Sequence, residues 1–418
     1  RPCPHPAKAS TPLPPTAAAY QSTNLPIPLS TSPPPLCHRQ LAQALAAGQP
    51  TALAAWLDSH QLSLADLAWL RGQGLALFAF HRLQQADLLD KAPASVVVPW
   101  QDAFQQAVLA TASMDWEIET VLLALSQAGV DFIWLKGAAL AYALYDNPAC
   151  RLRGDLDLWI QPEQAPLAVA ALAGLGFQLT SKEDRPDALA LLVGGEQQLV
   201  RAGSVLELIE LQWPALRGEW ARHTAAIDHQ AIWQRRGQQT IGQHSFAVLA
   251  PEDTLLHLCL HQAINHQFSA PWLRNLLDIH LLVAAEALDW PQIVATARRW
   301  RLATVVWTVL ELTQRLLGAA APPAAMQALQ PPRWQRWLIG RLDLEEALLT
   351  MQPGGYGHRR FLLQLALVDR TRDAVTLLAR GLFPEASWLR ARYSLAPDAR
   401  VARWRALHFW RLLTTAQA

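Results

Sequence analysis

Apolar and polar residues alternate with two different periods along the chain, and the period changes twice. From residue 37 to about 129, apolar residues recur every three or four positions in CHRQLAQALAAG, LADLAWLRGQGLALFAFHRLQQADLL and WQDAFQQAVLATASMDWEIETVLLALSQAG. That spacing predicts amphipathic helices, and each run ends near Gly or Pro, where helices commonly stop. From 130 to about 250 the runs shorten to VDFIWL, DLDLWI, GFQLTS, EQQLVRAG, SVLELIELQW and HSFAVLA. These predict strands separated by turns or helices, with PEQAPLAVAALAGLG as a helix between two of them. After Pro251 the helical period returns in PEDTLLHLCLHQAINH and WLRNLLDIHLLVAAEAL and persists to the end. The predicted layout is a helical N-terminal region over 37–129, an α/β core over 130–250 and a helical C-terminal domain over 251–418. No fixed-period repeat is present, which excludes a solenoid.

Residues 1–36 stand apart, because eleven of the 29 prolines fall within the first 35 positions. This composition predicts a disordered or loosely packed tail, with a partner-binding proline segment as the weaker alternative. The 418 residues are 51% hydrophobic, enough for two or three domains around a real core. A net charge of +1 gives no global pull toward nucleic acid or acidic lipid. Cysteines at 3, 37, 150 and 259 form neither a zinc pattern nor a disulfide framework, so a cytoplasmic setting is expected. No apolar run reaches the length of a membrane span, and the first residues lack the apolar stretch of a signal peptide. Only Lys8, Lys91, Lys136 and Lys182 are lysines among the 35 basic residues. Where Arg is the default, a Lys marks a place that suits a compact ammonium.

The segment IWLKGAALAYALYDNPACRLRGDLDLWI, residues 133–160, gathers the candidate chemistry. A strand alternates its side chains, so Asp155 and Asp157 share one face and Leu156 and Leu158 the other. Their Cα atoms then lie roughly 6–7 Å apart. Two carboxylates so placed repel unless cations sit between them, and Mg²⁺, with Mn²⁺ as the alternative, suits oxygen ligands. A third carboxylate on a neighbouring strand would complete such a site. SVLELIELQW offers Glu207 and Glu210, which have opposite parity, and parity alone does not choose between them. Lys136-Gly137-Ala138 closes one strand and opens a helix, where small residues let backbone N–H groups approach a phosphate. Lys136 and Arg151 are placed to neutralise phosphate oxygens, with an Arg151–Asp146 pair as the plainer alternative. Arg153 reads as structural.

The block LKGAAL, YDNPACRLRGDLDLWI and IELQW resembles the nucleotidyltransferase superfamily of DNA polymerase beta type. More closely, it is similar to the bacterial branch known as uncharacterised nucleotidyltransferase family proteins. Lys136, Gly137, Tyr145, Pro148, Arg151, Asp155 and Asp157 match that branch's pattern, and Glu210-Leu211-Gln212-Trp213 stands where the branch has Asp-Leu-His-Trp. The resemblance therefore selects Glu210 over Glu207. It covers residues 134–213 most specifically and extends more loosely to about 285, through HLCLHQAINH and LRNLLDIHLLV. It implies an α+β fold, a polymerase-beta-like mixed sheet with helices on one side, flanked by the helical N- and C-terminal regions. It implies Asp155, Asp157 and Glu210 as catalytic metal ligands, with Lys136, Gly137, Ala138 and Arg151 holding the phosphates of an NTP, expected to be ATP. The implied reaction moves a nucleoside monophosphate to an acceptor hydroxyl on a small molecule, peptide, sugar or protein. Three departures stand out: Ala138 for a common Ser, Glu210 for Asp, and Gln212 for His. They define the alternative reading, a catalytically degenerate nucleotide- or partner-binding scaffold. A third reading is an antitoxin-like modifier that transfers the nucleotide to protein.

Other features carry plainer expectations. His257 and His261 have the i, i+4 spacing of metal ligands, but Leu258 stands where a zinc-protease helix has Glu, so a packed helix face is expected, with His261 near the cleft. Asp278, in the apolar LLDIHLLV, pairs with Arg274 or points into the cleft. The Arg- and Trp-rich C-terminus reads as a solvated basic face with its aromatic side in the core. Arg403 and His408 have the spacing of some toxin-type RNases, but Trp404 follows Arg403 where a polar residue belongs, and nucleic acid is not an expected partner.

Overall fold

A computed structural model describes residues 35–180, 187–268, 273–318, 321–350 and 357–414. Residues 1–34 of the proline-rich tail lie outside these. The chain enters through α1 (Pro35–Ala47), α2 (Pro50–Ser59), α3 (Leu64–Gly72), α4 (Ala76–Gln85) and the long α5 (Ala94–Gln127). Ser63 shows how such a helix starts. Its hydroxyl accepts from the Asp66 N–H while Asp66 accepts from the Ser63 N–H, closing a capping box ahead of α3.

The middle segment runs β1 (Phe132–Leu135), α6 (Lys136–Leu144), β2 (Asp155–Ile160), α7 (Ala165–Gly174), β3 (Gln178–Thr180), α8 (Asp187–Gly194), β4 (Glu196–Val200), β5 (Leu208–Gln212), α9 (Glu219–Thr224), α10 (His229–Gln234), β6 (Gly237–Ile241) and β7 (His244–Val248). Among the described residues the strands form one seven-stranded mixed sheet in the order β3-β4-β5-β2-β1-β7-β6. β2 pairs with β5, and β1 with β7, in parallel; the other neighbours are antiparallel. The polar sequence of β6, GQQTI, gave no strand signal, and the hairpin with β7 supplies it. SVLELIELQW forms a strand only from Leu208, so Glu207 precedes it.

Helices α11 (Pro251–Leu260), α12 (Leu273–Ala285), α13 (Trp290–Trp300), α14 (Ala303–Leu317), α15 (Pro323–Leu329), α16 (Arg333–Gly340), α17 (Leu344–Thr350), α18 (Gly357–Ala366), α19 (Thr371–Leu382), α20 (Ala386–Tyr393) and α21 (Val401–Thr414) complete the chain. No described helix is long and apolar enough to cross a membrane. Cys37, Cys150 and Cys259 are buried free thiols.

Alternation in the central strands builds two cores on opposite sides of the sheet. Leu156, Leu158 and Ile160 of β2, with Ile209 and Leu211 of β5, pack against Ile118, Leu122 and Leu125 of α5 and Leu172 of α7. Burying each of these side chains contributes about 1.5–3 kcal/mol. Ile133, Leu135 and Trp159 face the other way and join a core built from the N-terminal helices and the helices after Pro251. Both faces of the sheet are therefore covered, rather than the single face expected, because the N- and C-terminal helical regions share that second core. The expectation for the C-terminal aromatics is also corrected. Phe409 and Trp410 are exposed, the latter at 64%.

One buried polar cluster ties α12 to the sheet. Arg151, in the loop before β2, donates from Nε to Asp278 Oδ1 at 2.8 Å and from Nη2 to Oδ2 at 2.7 Å. The Tyr145 hydroxyl donates to the same Oδ1 at 2.7 Å. Asp278 has no exposed surface, so its charge is balanced inside the protein. Asp146, the alternative partner for Arg151, lies instead 3.9 Å from Arg82.

Removing one partner of a buried pair leaves the other charge uncompensated. Asp278→Ala is expected to lower unfolding stability by about 3–5 kcal/mol, and Asp278→Asn by less, in urea titrations. A second prediction concerns acid. Burial pushes His229 down to about 4, against the opposing pull of Asp228. Below the ordinary histidine value of 6.5 the folded chain then binds fewer protons than the unfolded chain. The stability this imidazole contributes is present above that value and lost as pH falls toward 4. The unfolding temperature should drop between pH 7 and pH 5, and drop less in His229→Gln. Equal drops in both proteins would show that His229 carries none of the effect.

Candidate active site

The parallel register of β2 and β5 sets Asp155 beside Leu208 and Asp157 beside Glu210. Side chains in register on neighbouring strands share a face, so the aspartates and Glu210 rise together from the side opposite Leu156, Leu158, Ile209 and Leu211. Ligand oxygens of Asp155, Asp157 and Glu210 all lie within 4.8 Å of one another. Glu207, the other candidate, also borders the cavity but is not in this cluster.

The neighbourhood is charged and mostly closed. Asp157 is only 4% exposed. Burial pushes its carboxyl up to about 7; the Lys136 ammonium opposes this, and Asp155 and Glu210 add to it. Lys136 Nζ donates to Asp157 Oδ1 at 2.8 Å. Gln212 Nε2 makes a short contact to that same oxygen and reaches Glu210 Oε2 at 3.2 Å. Gln198 Nε2, opposite Glu210 on β4, donates to Glu210 Oε1 at 2.6 Å. Arg217 spans two carboxylates, with Nη1 at 2.6 Å from Glu196 Oε2 and Nη2 at 3.8 Å from Glu210 Oε2. Three converging carboxylates, with neither sulfur nor imidazole among them, fit a hard divalent cation such as Mg²⁺ or Mn²⁺.

A helix N-terminus opens beside the carboxylates. Leu135 ends β1 and α6 begins at Lys136, with no side chain capping its first turn. Uncapped N–H groups at Gly137 and Ala138 are the chemistry that receives an anion. Lys136 holds φ +46°, a left-handed conformation uncommon outside glycine. Gly137 is required by its neighbour. A Cβ there would stand 2.9 Å from Arg151 Nη1, and Asp278 grips the rest of that guanidinium. Arg151 is thus brought to the site with Nη1 turned toward Gly137. Arg153 is held elsewhere, donating to Asp115 at 2.7 Å.

The far wall comes from the C-terminal helices. After α11 a π-helical turn, His261–Asn265, widens the backbone, and Gln267 and Phe268 follow with positive φ. A cavity of about 800 Å³ lies between this wall and the sheet, bordered by Lys136, Asp155, Asp157, Glu210, Arg217, His261, His266 and Asn275 among others. His257 is buried in the helix face, as its spacing suggested. His261 borders the cavity, and its Nε2 lies 2.8 Å from His266 Nε2. Burial holds all three imidazoles below their ordinary value, with Lys136 adding to the effect, so they are neutral near pH 7. Asp278 borders the cavity too, and its oxygens are taken by Arg151 and Tyr145.

Sequence reasoning missed Arg217, Gln198, Glu196 and His266. Arg217 lies in the irregular loop that follows a cis Trp213-Pro214 bond, where no periodicity assigns a direction. Gln198 and Glu196 became visible only once β4 paired antiparallel with β5. For His266 the signal was present, in the histidine cluster of HLCLHQAINH.

A search of curated proteins finds no match. Among solved structures, an antigenic nucleotidyltransferase-like protein from Paracoccidioides brasiliensis aligns over 51% of this chain and 96% of its own, at 20% identity and a TM-score of 0.32. The family model described as uncharacterised nucleotidyltransferase matches residues 65–318, which include every described strand and the whole carboxylate cluster. With more than half of its length matched, the chain belongs to that family of uncharacterised nucleotidyltransferases.

Proposed function

We propose that this protein transfers a nucleoside monophosphate from an NTP, with ATP the expected donor, to an acceptor hydroxyl and releases pyrophosphate. The observation that carries this reading is the convergence of three carboxylates on one sheet face, next to an uncapped helix N-terminus and a lysine. Asp155, Asp157 and Glu210 would hold Mg²⁺ or Mn²⁺, which supplies charge neutralisation for the α-phosphate and the departing pyrophosphate. The N–H groups of Gly137 and Ala138 would receive phosphate oxygens. Lys136 and Arg151 Nη1 would offset their charge in a partly water-excluded cleft, where such interactions are strong. The acceptor oxygen attacks the α-phosphorus, the bond to the β-phosphate oxygen breaks, and Glu210 takes the hydroxyl proton. The wall formed by the π-helical turn would hold the acceptor or the base.

A degenerate scaffold is the second reading. The specific observation behind it is Gln212, an amide that cannot titrate and that binds both Asp157 and Glu210. It predicts nucleotide binding with no turnover in either Mg²⁺ or Mn²⁺.

Isothermal titration of ATP, GTP, CTP and UTP with Mg²⁺ tests the proposal, comparing native protein with Asp155→Asn/Asp157→Asn. One nucleotide should bind the native protein in a metal-dependent way, and the double variant should lose at least tenfold in affinity, about 1.4 kcal/mol or more. A well-folded native protein that binds none of the four would overturn the transferase reading.

A further inference from the structure

Two protein cations already occupy the carboxylate cluster. Lys136 Nζ sits 2.8 Å from Asp157 Oδ1, with both side chains largely buried. Arg217 Nη2 lies 3.8 Å from Glu210 Oε2 while Nη1 is anchored on Glu196 Oε2 at 2.6 Å. A divalent ion held by Asp155, Asp157 and Glu210 would draw on the same two carboxylates that these cations contact. An ammonium or guanidinium and a dication cannot crowd one carboxylate at such distances without strong repulsion. Among the described residues, Gln198 and Gln212 also donate to the cluster; they are neutral and impose no such conflict.

We propose that Lys136 and Arg217 are built-in counter-cations, exchanged from carboxylate to phosphate when a divalent metal and a polyphosphate enter together. The inference rests on the transferase reading and adds Arg217 to the phosphate-binding groups. Each residue has the means to move. Lys136 carries its charge on a flexible four-carbon stem rooted at the first residue of α6, so the ammonium can swing while staying beside the helix N-terminus. Its left-handed backbone departs from the ordinary geometry of a helix start, the kind of local strain found where groups change partners. Arg217 has a forked head. With Nη1 fixed on Glu196, a small rotation takes Nη2 from Glu210 toward the cavity that both residues border.

The exchange has a consequence for binding order. A metal ion arriving alone must displace two protein cations and leaves them facing one another's charge. A metal ion arriving with pyrophosphate or a triphosphate brings oxygens that receive them. The site therefore resists bare metal and accepts the metal–polyphosphate pair.

Two probes separate these cases. One is Mn²⁺ alone, followed by the electron paramagnetic resonance signal of the free ion. The other is inorganic pyrophosphate with Mg²⁺, followed by titration calorimetry. Lys136→Met should bind Mn²⁺ about tenfold more tightly than native protein and Mg²⁺-pyrophosphate about tenfold more weakly. Arg217→Gln should shift both in the same directions by a smaller factor. Opposite signs cannot come from misfolding, which weakens both, and circular dichroism checks the fold. Should Lys136→Met fail to fold, Arg217→Gln carries the test. Variants that bind Mn²⁺ no more tightly than native protein would overturn the exchange while leaving the metal site intact. Native protein that binds neither Mn²⁺ nor Mg²⁺-pyrophosphate in a way that Asp157→Asn removes would overturn both the exchange and the transferase reading.

Discussion

The ion pair between Arg151 and Asp278 is the constraint on which the site depends. It joins the loop before β2 to a helix that begins more than a hundred residues later, and it does so with no exposed carboxylate surface. A charge pair buried so deeply gains little net stability over an apolar pair, but it tolerates only one geometry. That geometry fixes three things at once. It orients the guanidinium so that Nη1 meets Gly137, which explains why the residue opening the helix after Lys136 lacks a side chain. It ties down the loop that leads into β2, the strand that carries Asp155 and Asp157. It also holds α12 against the cavity as its far wall.

Charge balance shapes the rest of the cleft. A buried carboxylate cluster is unstable by itself, and the raised value of Asp157 expresses that instability. Among the described residues the donors come from four places: Lys136 at the start of α6, Gln198 on β4, Gln212 on β5, and Arg217 in the loop beyond. Only two of the four are charged. The difference matters because neutral amides can stay while a metal binds, whereas cations must give way. Gln212 in place of histidine therefore need not signal decay. It keeps a donor between Asp157 and Glu210 and removes a group whose own protonation would compete with metal.

The central strands were legible because their alternation is clean. Asp-Leu-Asp-Leu can place its carboxylates on one face only if it is a strand, and the leucines then demand an apolar partner on the other face, which α5 and α7 provide. The helical regions were legible by period. What could not be read was the second core. The N-terminal helices and those after Pro251 are apolar on faces that give no address, and nothing local says that both pack on the same side of the sheet. The exposed Phe409 and Trp410 make the same point, since an aromatic on an amphipathic helix is buried only if something covers it.

The sequence by itself determined the chemistry of the site's centre: two aspartates sharing a face, a lysine and glycine at a strand-to-helix junction, and a strand offering a third carboxylate. These are short-range facts, set by the period of a strand and the backbone freedom of small residues. Parity alone left Glu207 and Glu210 open, because it counts residues within one strand while register is a relation between two; the family resemblance chose Glu210, and the parallel pairing of Asp157 with Glu210 supplies the physical reason. Arg217, Gln198 and the bond from Arg151 to Asp278 likewise exist only in the folded chain. Each joins residues that no periodicity connects, and burial then makes their charges and amides depend on one another.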